Sequence, residues 1–187
     1  MTNWNNTGSI GGYKYTCGFC GTYVGPSNGY SNKISNRYIR ICPKCDKPTF
    51  FEGNEQTPSP LLGNDVTNIP AEIAPLYNEA RACTGVNSFT ATVLACRKLL
   101  MHIAVDKGAD EGKRFIEYVE YLSDAGYVPP EGKGWVDHIR NKGNEANHEI
   151  VIMSKDDALD LITFIEMLLK FIYEFPSRIP PKPSGPT

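Results

Sequence analysis

The stretches Tyr13-Lys14-Tyr15-Thr16-Cys17-Gly18-Phe19-Cys20-Gly21 and Tyr38-Ile39-Arg40-Ile41-Cys42-Pro43-Lys44-Cys45 decide how the first part of this chain folds. Each ends in a Cys-x-x-Cys pair, and 21 residues separate Cys20 from Cys42. A Cys-x-x-Cys turn presents two sulfurs on one side, and two such turns complete a tetrahedron around one metal ion with bonds of about 2.3 Å. Gly18 and Gly21 ease the first turn. β-prone residues precede both pairs, and Thr49-Phe50-Phe51 follows the second, so each turn is expected to close a hairpin. Four soft thiolates favour zinc over hard cations, and the same ligand pattern also suits a rubredoxin-like iron. The reading is one structural Zn2+ held by Cys17, Cys20, Cys42 and Cys45, since four thiolates leave no open coordination position.

Disulfides need an oxidising compartment, and Met1-Thr2-Asn3-Trp4-Asn5-Asn6 lacks the basic and apolar regions of a secretory signal. A redox Cys-x-x-Cys belongs to a βαβ pattern, which is not seen here. Cys83 and Cys96 lie outside the set and read as small core residues.

The chain has 187 residues, with 19 Lys and Arg against 21 Asp and Glu. That length suits a medium domain with a mini-domain beside it, and no apolar run approaches the roughly 20 residues of a membrane span. A cytoplasmic protein with no membrane partner is therefore expected. Four thiolates on a divalent ion would add two negative charges to the ribbon, leaving no strongly basic stripe from which to infer nucleic-acid binding. Along the chain, residues 1–12 read as a flexible arm, 13–53 as the ribbon and 54–70 as a Pro/Gly linker. Residues 71–176 read as a helical domain and 177–187 as a Pro-rich tail.

Past Pro70 the apolar residues recur at helical spacing. Helices are expected over Ile73 to Ala82, from Asn87-Ser88 to near Gly108, over Glu111 to Ala125, over Trp135 to His148, and from Ser154 to Pro176. Ser154 with Asp157 three residues on resembles a capping box. Within the fourth helix, Trp135, Ile139, Gly143 and Ala146 share a face, and Arg140, Asn144, Asn147 and His148 form a polar row beside it. Such a row can hold a phosphodiester, with Arg140 stabilising charge, His148 acting as acid or base, and Asn144 or Asn147 orienting a ribose or backbone oxygen. It can equally cap and tie helices together, and the residues alone favour that second reading.

The helix Ala91-Thr92-Val93-Leu94-Ala95-Cys96-Arg97-Lys98-Leu99-Leu100, the run Ile139-Arg140-Asn141-Lys142-Gly143-Asn144-Glu145-Ala146-Asn147-His148 and the long closing helix from Asp156 together resemble the DUF4145 family. The resemblance covers about Pro70 to Pro176. It implies a HEPN-like antiparallel bundle of four to five helices, often dimeric, in proteins of restriction, toxin–antitoxin and anti-phage systems. Ribonucleases of that superfamily use a more closely spaced Arg–His pair than Arg140 and His148, which are separated by seven residues, while Asn141 directly after Arg140 is similar to their pattern and would be a supporting residue. The fold class expected is thus mainly α, a HEPN-like bundle preceded by a small β zinc ribbon.

The function expected is a nucleic-acid-associated binding or adaptor module in prokaryotic host–phage conflict. Its partners would be RNA or DNA, a defence-system protein, or a second copy in a homodimer. Two alternatives stand beside it: a metal-independent ribonuclease using Arg140 and His148, and a structural protein–protein interaction module.

Overall fold

A computed structural model describes residues 4–129, 132, 134–137, 139 and 152–180. The chain divides into two compact units, one formed by residues up to 62 with 82–88, the other by 63–81 with those from 89 onward.

The first unit is a β structure. Among the described residues seven strands are present: β1 (Gly8–Ser9), β2 (Tyr15–Thr16), β3 (Tyr23–Val24), β4 (Asn28–Asn32), β5 (Arg37–Ile41), β6 (Pro48–Glu52) and β7 (Glu55–Thr57). They form a five-stranded antiparallel sheet in the order β1-β4-β5-β6-β7 and a separate β2–β3 hairpin. In the large sheet one face carries Tyr38 and Arg40 on β5 and Thr49 and Phe51 on β6, paired Tyr38 with Phe51 and Arg40 with Thr49. Phe51 packs on Tyr15 and Val24 of the hairpin, and Cys17 and Cys42 complete this small core. The Phe51 ring stands edge-on to Tyr15 at 4.9 Å and to Tyr13 at 5.3 Å, the geometry aromatic quadrupoles prefer.

Arg40 is the cation inside this core. It is 6% exposed, with its guanidinium 4.9 Å from the Tyr13 ring centre and 5.3 Å from that of Tyr38. Its Nη1 donates to the carbonyls of Gly11 (2.9 Å) and Pro26 (3.3 Å). Ring faces and carbonyl dipoles thus replace the water that burial removed. Residues 82–88 group with the ribbon through Ser59, whose N–H donates to the Gly85 carbonyl, and Leu62, whose N–H donates to the buried Thr84 hydroxyl.

The second unit is helical. Its helices are α1 (Ala74–Thr84), α2 (Phe89–Asp106), α3 (Phe115–Asp124) and α4 (Lys155–Leu169); α4 runs through a π-helical turn (Lys170–Glu174) into a short α5 (Phe175–Ser177). Residues 134–137 and 139 are also helical. α2 packs against α3 and α4. Cys96, Leu99, Leu100 and Ile103 of α2, Val119 and Leu122 of α3, and Ile162, Phe164, Ile165 and Leu168 of α4 are fully or nearly fully enclosed. Ser154 caps α4 in a reciprocal box with Asp157, as its sequence implied. Gly126 ends α3 at a φ of +80°. Among the described residues no helix is long and apolar enough to cross a membrane.

The expected fold class does not hold. The chain is not a mainly-α bundle with a minor ribbon in front; it is a mixed protein, with a five-stranded sheet and a hairpin occupying its N-terminal part. The physical reason lies in β1, β4 and β7. Gly8-Ser9, Asn28-Gly29-Tyr30-Ser31-Asn32 and Glu55-Gln56-Thr57 are poor strand formers by composition. β4 becomes a strand by pairing onto β5, β7 by pairing onto β6, and β1 by pairing onto β4, a tertiary effect that local pattern does not register.

Candidate metal centre

The two Cys-x-x-Cys segments are the turns of two hairpins. The first joins β2 to β3, where Thr16 pairs with Tyr23; the second joins β5 to β6, where Ile41 pairs with Pro48. Both turns close in the same way. In the first, the Gly21 N–H donates to the Cys17 carbonyl at 2.9 Å and the Cys17 N–H to the Thr22 carbonyl at 2.9 Å. In the second, the Asp46 N–H donates to the Cys42 carbonyl at 2.9 Å and the Cys42 N–H to the Lys47 carbonyl at 3.0 Å. The residue after the second cysteine sits in the left-handed region in both, Gly21 at φ +66° and Asp46 at +57°. Glycine takes that conformation freely, and aspartate is among the few other residues that tolerate it. The Trp4 indole N–H caps the Asp46 carbonyl at 3.0 Å.

These repeated turns bring Cys17, Cys20, Cys42 and Cys45 together, with all four sulfurs within 4.8 Å of one another. The Cys17–Cys45 and Cys20–Cys42 sulfurs are each 3.8 Å apart. A disulfide would need about 2.05 Å. A tetrahedron with metal–sulfur bonds of about 2.3 Å has an edge of about 3.8 Å, which these two pairs match, so the donor set suits a four-coordinate ion. The Phe19 N–H points at the Cys17 sulfur at 3.4 Å, an orientation that favours a thiolate there.

The electrostatics of the thiols fit the same conclusion. Burial raises Cys17 and pushes Cys45 up to about 12. Cys20, although burial works against it, is held down to about 6 by hydrogen bonds from Thr22 and the neighbouring thiols. Four thiolates this close repel one another unless a cation lies between them; a divalent ion reverses that penalty and deprotonates all four. Cys17 and Cys42 are fully buried and Cys20 and Cys45 half-buried. The cluster is a closed donor set arranged to bind a metal ion, with thiols at all four ligand positions.

The other expected site residues, Arg140, Asn141, Asn144 and His148, lie outside the described residues. Cys96 is buried in α2 and Cys83 half-buried, and neither is part of the cluster of four. The aromatic and basic side chains around the ribbon divide into two sets. Tyr15, Arg40 and Phe51 are core, whereas Tyr30, Ile39 and Phe50 pair across β4, β5 and β6 on the opposite face of the sheet. The alternation of Tyr38-Ile39-Arg40-Ile41 carried that information, but which set faced inward depended on where β2 and β3 docked.

No curated protein and no solved structure matches the chain. A family described as Domain of unknown function (DUF4145) matches residues 78–182. That match takes in more than half of the chain, including α2, α3 and α4, and the protein therefore belongs to the DUF4145 family.

Proposed function

We propose that the protein is a nucleic-acid-binding module whose ribbon, folded around a structural zinc ion, presents a stacking surface for single-stranded RNA or DNA. The observation that carries this reading is the solvent face of the large sheet. Tyr30, Ile39 and Phe50 stand side by side across three strands and border a shallow groove of about 320 Å³, with Arg37 and Asn32 at one end. Phe50 is 38% exposed, so part of its ring is open to a ligand. Flat rings accept any base, and a neighbouring guanidinium and amide can meet phosphate and sugar. Arg37 is paired with Glu52, its Nε 2.8 Å from the carboxylate, and both are half exposed. An exposed pair of this kind exchanges readily for a phosphate contact.

Zinc is the metal that a closed four-thiolate tetrahedron suits, and its role there is to hold the fold of the ribbon. The setting, host–phage conflict in prokaryotes, is the one that the family resemblance implies.

The test is fluorescence anisotropy of labelled single-stranded RNA and DNA over a salt series, with metal analysis of the same preparation. Binding is expected with a shallow salt slope, reflecting few phosphate contacts. Phe50→Ala should weaken it by about 1–3 kcal/mol, the range for one lost base stack. Glu52→Gln should tighten it by freeing Arg37. No binding at low salt would refute the reading, as would affinity unchanged by Phe50→Ala and Glu52→Gln. Cleavage of the labelled strand that His148→Ala abolishes would point instead to the ribonuclease alternative.

A further inference from the structure

We infer that Glu166 and Glu174 form a two-point latch that clamps the chain segment 63–68 to the second unit, with the π-helical turn setting their register. Both carboxylates are buried, at 8% and 5% exposure, on a helix that is otherwise apolar on that side. Each divides its oxygens in the same way. Glu166 accepts the backbone N–H of Asn64 at 2.8 Å and the Asn64 side-chain amide at 3.0 Å, and pairs with Lys170 one turn on. Glu174 accepts the backbone N–H of Thr67 at 2.9 Å and pairs with Arg178 one turn on. Two free backbone donors in a loop and two buried carboxylates thus satisfy each other, and neither is left to bear an uncompensated desolvation cost.

The segment is built to be held. Gly63 opens it at φ +70°, where an added Cβ would lie 3.0 Å from Ile162 and 3.2 Å from the Tyr77 hydroxyl. Asn68 ends it at φ +59°, its side-chain amide donating to Ser177 at 2.8 Å. Between them the Tyr77 hydroxyl donates to the Asn64 carbonyl at 2.8 Å, and Arg81 pairs with Asp65.

The π turn explains the spacing. Side chains eight residues apart on a regular α-helix diverge by about 80°. Between Lys170 and Glu174 the helix closes by i→i+5 bonds, the Phe175 N–H donating to the Lys170 carbonyl. Such a turn rotates less per residue and takes most of that divergence back, so that Glu166 and Glu174 address the same segment. A π turn amounts to one residue inserted into an α-helix. Without the insertion the two carboxylates would be seven apart, about 20° from alignment on a regular helix.

Amide hydrogen exchange of the full chain, resolved by residue, tests the latch. Glu174→Ala should speed exchange at Thr67 by about tenfold or more and leave Asn64 unchanged; Glu166→Ala should do the reverse. If either variant unfolds, the milder Glu→Gln substitutions should give the same residue-specific pattern with smaller factors. Deleting the half-exposed Phe171 should straighten the helix and keep Thr67 protected. Thr67 exchange that ignores Glu174, or a folded deletion variant that loses Thr67 protection while keeping Asn64, would overturn the inference.

Discussion

Removal of the metal should unfold the ribbon and spare the helices. The core of the first unit consists of Tyr15, Cys17, Val24, Cys42 and Phe51, and two of these five are ligands. The three remaining side chains supply about 1.5–3 kcal/mol each on full burial, and so about 5–9 kcal/mol together. A structural zinc ion in a site of this kind contributes about 10–16 kcal/mol at neutral pH. The metal term exceeds what these three side chains offer, and without it the thiols return to mutual repulsion or protonation. The second unit has its own core on α2, α3 and α4. The assay is hydrogen exchange before and after treatment with a strong chelator in reducing buffer. The two tryptophans serve as local reporters, because Trp4 packs on Tyr30 in the first unit and Trp135 stands edge-on to Phe164 in the second. Protection across β5 and β6 should collapse and Trp4 emission shift, while α2 and α4 stay protected and Trp135 is unmoved. Zinc should restore both signals, and Cys42→Ser should reproduce the stripped state. A metal-free chain that keeps the β5–β6 ladder would refute the reasoning, and so would helices that melt together with the ribbon.

Two further outcomes follow from particular side chains. Arg40→Ala should lower ribbon stability by about 2–4 kcal/mol in denaturant melts, since it removes a buried cation–π contact and two hydrogen bonds to carbonyls. Arg40→Lys should recover only part of the loss, because an ammonium cannot both stack on Tyr13 and reach Gly11 and Pro26; full recovery would show that charge alone matters. The Glu166 carboxyl, although burial pushes it up, is held below its ordinary value by Lys170 and Asn64. A depressed carboxyl stabilises above its unfolded value and loses that contribution as pH falls through the folded one. Melts of the second unit should therefore weaken from about pH 4.5 downward, and Glu166→Gln should be less stable at neutral pH with a flatter acid limb. An unchanged limb would place the acid sensitivity on another group.

The ligand set of the candidate metal centre was legible from local sequence alone. Ligand identity and spacing are local, and a Cys-x-x-Cys turn has few ways to arrange two sulfurs, so Cys17, Cys20, Cys42 and Cys45 could be read off directly. The helices from α1 to α4 were legible for a related reason: their apolar period, the cap at Ser154 and the stop at Gly126 are all encoded within a few residues. The remaining features depend on contacts between residues far apart in the chain. β4 and β7 exist because β5 and β6 offer ladders, which made a mixed fold of what helical periodicity and the family resemblance had suggested was mainly helical. Arg40 belongs to the core and Arg37 to the surface, although they lie three residues apart on one strand, because the docking of β2 and β3 chose which face is covered. Glu166 and Glu174 are buried carboxylates among the apolar side chains of α4 and the π-helical turn. Their purpose became visible only once the fold placed the N–H groups of Asn64 and Thr67 against them, 102 and 107 residues away along the chain.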